Sequence, residues 1–362
     1  MQTGKILPRL LLPLAVAALL FGMWAGLLRM GWRWPLLRTS LPVSHGPLMV
    51  SGFFGTLILL ERAVAIKRYW AYAGVLFSGL GAFLILIGVQ GATGPVLLNL
   101  GSLWMVLVFA YILHQHRTLY TLTMAAGAAC WLIGNLLWLS GSPVYKLVWW
   151  WLGFLVLTIA GERLELSRVM RLDRMAQQIF LLACGIQTVG FIILSVWYDL
   201  GFRIIGAGLL VLAAWLLRYD VTRRTVRTSG LPRYIAFCLL AGYFWLAFAG
   251  LMMLGIGGQV AGFYYDAILH AVFLGFVFSM VFGHAPILLP AVLHQSMIYH
   301  PLLYLPWVLL HLSLLLRVAA DFAVQPFARQ VAGLLNSIAI LFFFGVLIFT
   351  RMSASRSDGG PV

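Results

Sequence analysis

Residues 263–290 read FYYDAILHAVFLGFVFSMVFGHAPILLP. Two imidazoles, His270 and His284, interrupt a run that is almost wholly apolar or uncharged and contains no Lys or Arg. At 1.5 Å per residue, roughly twenty such residues form a helix that crosses a hydrocarbon core of about 30 Å. Comparable runs recur over almost the whole chain, which is 63% hydrophobic and 9% charged. Soluble domains run near one half and one quarter. A water-soluble fold of 362 residues could not hide that much apolar surface. The fold class is therefore all-α, a polytopic membrane helix bundle.

With charges, Pro and Gly as punctuation, twelve spans are expected: 9–29, 43–66, 71–91, 95–115, 119–140, 144–162, 177–198, 201–218, 233–254, 262–287, 301–320 and 330–350. Together they make one integral-membrane helical domain over 1–350, followed by a short cytoplasmic tail at 351–362. The basic start, Met1 to Arg9, also resembles a signal peptide, but the A-x-A at Ala15 to Ala17 falls early in a run that stays apolar to Leu28, so the run reads as the first span. Alternating sides from a cytoplasmic amino terminus puts seventeen of the 24 Lys and Arg residues inside and seven outside. The positive-inside rule then sets both termini in the cytoplasm of a bacterial-type inner membrane. The net charge of +15 thus belongs to interface anchoring and topology, with no continuous patch for nucleic acid. Cys130, Cys184 and Cys238 lie inside apolar runs without metal or disulfide spacing. No P-loop, nucleophile elbow or HExxH is present.

Ionisable side chains within a membrane are costly unless paired or liganded, which makes the eight histidines the functional candidates. His45 opens the second span, in SHGPLMVSGFFGTLILLERAVA, and His270 lies in the tenth. Both fall in the outer half, at compatible depths. Two neutral imidazoles on different helices can supply both axial ligands of a heme, with the bundle as an apolar slot for the porphyrin. The bland alternative for each is a polar residue that hydrogen-bonds across helices.

The surrounding residues add a resemblance. His45, Gly46 and Met49 form His-Gly-x-x-Met, similar to the second helix of subunit I of the heme-copper oxidases, whose histidine ligates the low-spin heme. The tenth span resembles that subunit's tenth helix, which carries the other ligand, and the twelve-span layout is similar as well. HAVFLGFVFSMVFGHAP (270–286) and LLHLSLLLRVAAD (309–321) also resemble the NnrS family, heme- and copper-containing membrane proteins connected with nitric oxide stress. The resemblance implies heme b bound by His45 and His270, and a role in electron transfer, redox sensing or nitric oxide stress, with a redox partner protein. Two departures imply that the chain is not a terminal oxidase. Ile268 stands where the oxidases bind the high-spin heme, and Pro143–Glu162 and Ala176–Tyr198 lack the copper-site histidines.

Heme propionates at the outer face call for guanidinium partners. Arg317 is the first candidate and Arg38 the second, each against the alternative of an interface anchor. Asp321 offers Arg317 an i, i+4 partner instead. His284 follows His270 by fourteen residues, which in a straight α-helix puts both on one side, a spacing similar to that of two-heme cytochrome b helices. An inner heme would take His114 or His116 as its partner. His284, His114 and His116 with His294 and His300 also form a cytoplasmic-side cluster suited to copper, zinc or iron, which is the basis of an alternative reading as a metal-ion transporter or permease. His311, at mid-depth, is expected to bond a neighbouring backbone. Glu61 with Arg62, and Glu162 with Arg163, read as interface charge pairs.

Overall fold

The computed structural model describes residues 3–293 and 299–357, with side-chain surroundings for residues 7–293 and 299–352. Twelve helices among them are long and apolar enough to span a membrane: α1 (Leu7–Arg29), α2 (Pro42–Ile66), α3 (Tyr69–Ile87), α4 (Thr93–Gln115), α5 (Leu119–Leu139), α6 (Val144–Met170), α7 (Arg174–Leu194), α8 (Tyr198–Tyr219), α9 (Gly230–Ile256), α10 (Phe263–Leu293), α11 (Pro301–Phe322) and α12 (Pro326–Met352). No strand occurs among the described residues. The chain is a multi-pass helical membrane protein, and each expected span has its helix.

The ends show why each helix stops. α3 closes on Gly88 in the left-handed conformation (φ +69°), and Val89 N–H reaches back to Leu84 O at 2.9 Å. That bond satisfies a carbonyl the helix leaves orphaned. α7 begins after Asp173, whose Oδ1 accepts from Ala176 N–H at 2.8 Å. Two spans outrun expectation: α6 continues past 162 to Met170, and α10 passes Pro286 and Pro290 to reach Leu293.

The chain forms two compact units, Met1–Gly161 and Glu162–Val362, with the boundary inside α6. In the first, α1, α2 and α3 pack on one another, α3 on α4, and α4 on α5. Trp131 of α5 stacks on Phe154 of α6, centroids 4.8 Å apart and nearly parallel. In the second unit the neighbours run in sequence from α7 to α12. α8 and α9 touch through bare backbone: a Cβ on Gly206 would lie 2.9 Å from Gly250 O. Such close approach is how membrane helices gain contact where lipid removes the usual apolar driving force.

α11 reveals what surrounds the second unit. Val308, Leu312, Leu315 and Leu316 are exposed, whereas Ser313, Arg317 and Asp321, each four residues from the last, are buried with Leu310 and Leu314. The polar stripe faces inward and the leucines outward, the reverse of a soluble helix.

Candidate functional site

The first histidine is fixed by glycines that the sequence reading passed over. α2 starts with a 3-10 turn (Pro42–Ser44), takes one α turn from His45, and widens to a π-helix over Leu48–Gly55. The His45 ring lies against α1, its Nδ1 2.7 Å from Gly22 O. A carbonyl only accepts, so Nδ1 carries the proton and Nε2 the lone pair in the neutral ring. One turn along α1, a Cβ on Gly26 would stand 2.8 Å from the imidazole, so only glycine leaves the ring its place.

The π segment that follows is held by neutral polar groups. Ser51 Oγ donates to Asn135 Oδ1 at 2.9 Å and accepts from Trp131 Nε1 at 2.9 Å. Trp151 Nε1 donates to the same Asn135 oxygen, while Asn135 Nδ2 donates to Leu98 O at 3.2 Å. Ser78 Oγ donates to Ser51 O at 2.7 Å and accepts from Thr56 Oγ1. A widened turn displaces backbone carbonyls from their usual donors, and the Ser78 hydroxyl supplies one. These groups are buried, so each bond replaces one that water cannot offer.

His270, half-buried near the start of α10, is fixed by charge. Its Nδ1 lies 2.9 Å from Asp266 O and 3.3 Å from Asp266 Oδ1, one turn back, so here too Nδ1 is the donor. Arg317 clasps the Asp266 carboxylate with both arms, Nε to Oδ2 at 2.8 Å and Nη2 to Oδ1 at 3.0 Å. Arg329 bridges Asp266 (Nη2 to Oδ1, 3.0 Å) and Asp321 (Nε to Oδ1, 3.1 Å). Two acidic and two guanidinium side chains thus meet in one network. The expected i, i+4 partnership of Arg317 with Asp321 gives way to a planar fork on Asp266, whose geometry suits guanidinium better than a single helical turn permits. Arg317 reaches the propionate role assigned to it only by sharing or leaving this carboxylate.

Arg38 belongs to the first unit. Its guanidinium covers Gly88 where α3 ends, in the space that a Cβ there would fill. A cation at a helix carboxyl end is favourable by itself. His311 differs from expectation as well: it bonds side chains on two neighbouring helices in place of backbone. Trp245 Nε1 donates to its Nδ1 at 3.0 Å, which leaves Nε2–H facing Ser279 Oγ at 3.1 Å. Ser279 directly follows a second π segment, Ala271–Phe278, just as Thr56 follows the first.

That second π segment lies between His270 and His284, so the two do not keep the phase that an unbroken α-helix gives over fourteen residues. His284 Nδ1 faces Met280 O at 2.7 Å, and its Nε2 accepts from Arg163 Nη1 at 3.2 Å. Arg163 is itself paired with Asp220, Nε to Oδ2 at 3.1 Å, with side chains 4% and 0% exposed. The expected interface partner of Arg163, Glu162, is not the residue it grips. His114 and His116 are exposed at the end of α4, and His114 lines a surface groove with Arg117. His300 caps α11, its Nδ1 accepting from Leu302 N–H at 3.1 Å. His294 lies outside the described residues. Among those described, no three His, Cys, Asp or Glu side chains converge as a metal-binding group.

Sequence reasoning missed Gly22, Gly26, Asn135, Asp220 and Asp266. Asp266 had a visible signal, being the lone carboxylate in its span and one turn before a histidine. Asn135 was one uncharged amide in an apolar run, with nothing local to mark it.

No curated protein and no solved structure matches the chain. A family model does, over residues 7–352. The twelve spans, both histidine sites and the ion network all fall within that match, and the chain belongs to the family described as Domain of unknown function (DUF8744).

Proposed function

We propose that this protein binds heme within the membrane, with His45 and His270 as the iron ligands, and that it serves in electron transfer, redox sensing or the response to nitric oxide. One observation carries the reading. Each of these imidazoles has its Nδ1–H committed to a backbone carbonyl, Gly22 O for His45 and Asp266 O for His270. Histidines that ligate metals are held this way, since the bond fixes the tautomer and presents Nε2 as the coordinating nitrogen. π-helical turns, which concentrate at functional sites, begin within three residues of each histidine. The resemblance to oxidase subunit I points to the same two residues, and the resemblance to the NnrS family takes in His270.

A heme with two histidine ligands supplies reversible one-electron chemistry and leaves no open iron position. The residues of this chain would orient the ligands, keep water from the site and balance charge. Asp266 beside His270 would raise the basicity of that ring. The Arg317 and Arg329 pair would temper the negative charge.

The permease reading has less support. His284 Nε2 already accepts from Arg163, so a cation bound there would sit beside a guanidinium.

Optical spectra and iron analysis of the purified protein test the proposal. The expected result is the Soret and sharp α bands of six-coordinate heme, lost in His45→Ala and in His270→Ala while the apoprotein remains monodisperse. Protein that is heme-free when purified from heme-sufficient cells would overturn it.

A further inference from the structure

A second feature of the Glu162–Val362 unit has no place in the heme reading. Where α6 ends, α7 begins and α8 runs into the following loop, a cavity of about 440 Å³ is lined by Arg171, Arg218, Arg223, Arg224, Arg227 and Asp173, among others. Five guanidinium groups face one carboxylate, and that carboxylate already caps α7 through Ala176 N–H. Among the described residues none of the five arginines forms an ion pair with a carboxylate. Arg223 Nη1 donates to Arg218 O, and Arg218 lies over the Tyr219 ring at 5.2 Å, so two of the five are positioned by the protein. Arg171 is held in the left-handed backbone region (φ +51°), which non-glycine residues adopt at a cost.

Like charges gathered around a concavity repel one another unless an anion occupies it. Topology alone asks only that arginines be near the cytoplasmic ends of spans, with no need for a shared cavity. The cavity lies at the ends of three spans, the depth of lipid headgroups, on the side to which the arginine asymmetry assigns the cytoplasm. Flanking the Met170–Asp173 part of the lining in sequence, the apolar side chains of Val169 and Met175 are 74% and 61% exposed, which suits acyl chains better than water. Phosphate takes bidentate guanidinium bonds especially well.

We propose that this cavity binds the phosphate group of an anionic membrane lipid from the cytoplasmic leaflet. The site is selective for net negative charge and leaves the acyl chains along the Val169 and Met175 surface. A free phosphate or phosphate ester shares the headgroup chemistry, and the test separates the two.

Full-length delipidated protein is titrated with phosphatidylglycerol, with phosphatidylcholine and with inorganic phosphate, and binding is read by native mass spectrometry. The expected result is at least one phosphatidylglycerol retained in preference to phosphatidylcholine. The preference should fall about fivefold for each arginine converted in Arg171→Gln, Arg223→Gln and Arg224→Gln. Because fewer inner charges could disturb topology, Arg171→Lys with Arg224→Lys is made in parallel. It keeps the charge but loses the planar fork, and part of the preference should go with monodispersity unchanged. Equal retention of both lipids, or a preference untouched by all of these variants, would overturn the proposal. Displacement of phosphatidylglycerol by millimolar inorganic phosphate, with phosphate retained alone, would transfer the site to a soluble anion and overturn the lipid assignment.

Discussion

The two histidine regions solve one problem with opposite chemistry. Around His45 the imidazole rests on a backbone carbonyl in a glycine notch, and the π segment beyond it is tied by hydroxyls, amides and indoles. At His270 the ring rests on a carbonyl and carboxylate of Asp266, which is held by Arg317 and Arg329. A neutral network is lost gradually, bond by bond. An ion network fails abruptly when one member goes, because a charge is stranded where neither water nor a counterion can reach it.

The comparison breaks most sharply at Asp266. Asp266→Ala strands Arg317, leaves Arg329 with Asp321 alone and should cost about 3–5 kcal/mol, read as a loss of folded yield and of resistance to denaturant in detergent. Asp266→Asn should recover part of it. On the neutral side, Asn135→Ala removes the acceptor of Ser51 and Trp151 and the donor to Leu98 O, at about 2–3 kcal/mol by the same measurement. If it matched Asp266→Ala, the contrast between the regions would fail.

Gly26→Ala sharpens the comparison at His45. The added methyl meets the ring at 2.8 Å, and overpacking of this kind costs about 1–3 kcal/mol. On the heme reading its larger effect is to shift the imidazole, seen as broadened or weakened α bands. A wild-type spectrum at full heme occupancy would show that the notch is not needed. The smallest effect belongs to Trp245→Phe, which removes the donor to His311 Nδ1 and should cost about 0.6 kcal/mol, the average for hydrogen bonds between membrane helices. A heme spectrum altered by it would tie His311 to the site.

The spans were legible because each is a local property of about twenty residues, and apolar length settles it. Their ends were less so. Glu162 and Arg163 looked like the place where α6 meets water, yet Arg163 is buried against Asp220, so the helix carries on to Met170. Long-range partners left no trace in local spacing. Arg317 stands four residues from Asp321 and 51 from Asp266, and the sequence offers only the nearer choice; the fold takes the farther. His45 and His270 could be singled out as imidazoles in apolar runs, but the carbonyls that orient them depend on how helices pack. The fourteen-residue spacing of His270 and His284 misled because an unbroken α-helix was assumed.

A π turn holds one residue more than the α turn it replaces. Each histidine is therefore out of step with the remainder of its own helix, and the azimuth of the imidazole is set by that surplus. Loss of a single residue within 48–55 or 271–278 would leave span length and hydropathy almost unchanged. It would nonetheless swing the ring by about 100° relative to everything downstream. In these two stretches the chain can exchange one apolar side chain for another far more readily than it can tolerate an insertion or a deletion.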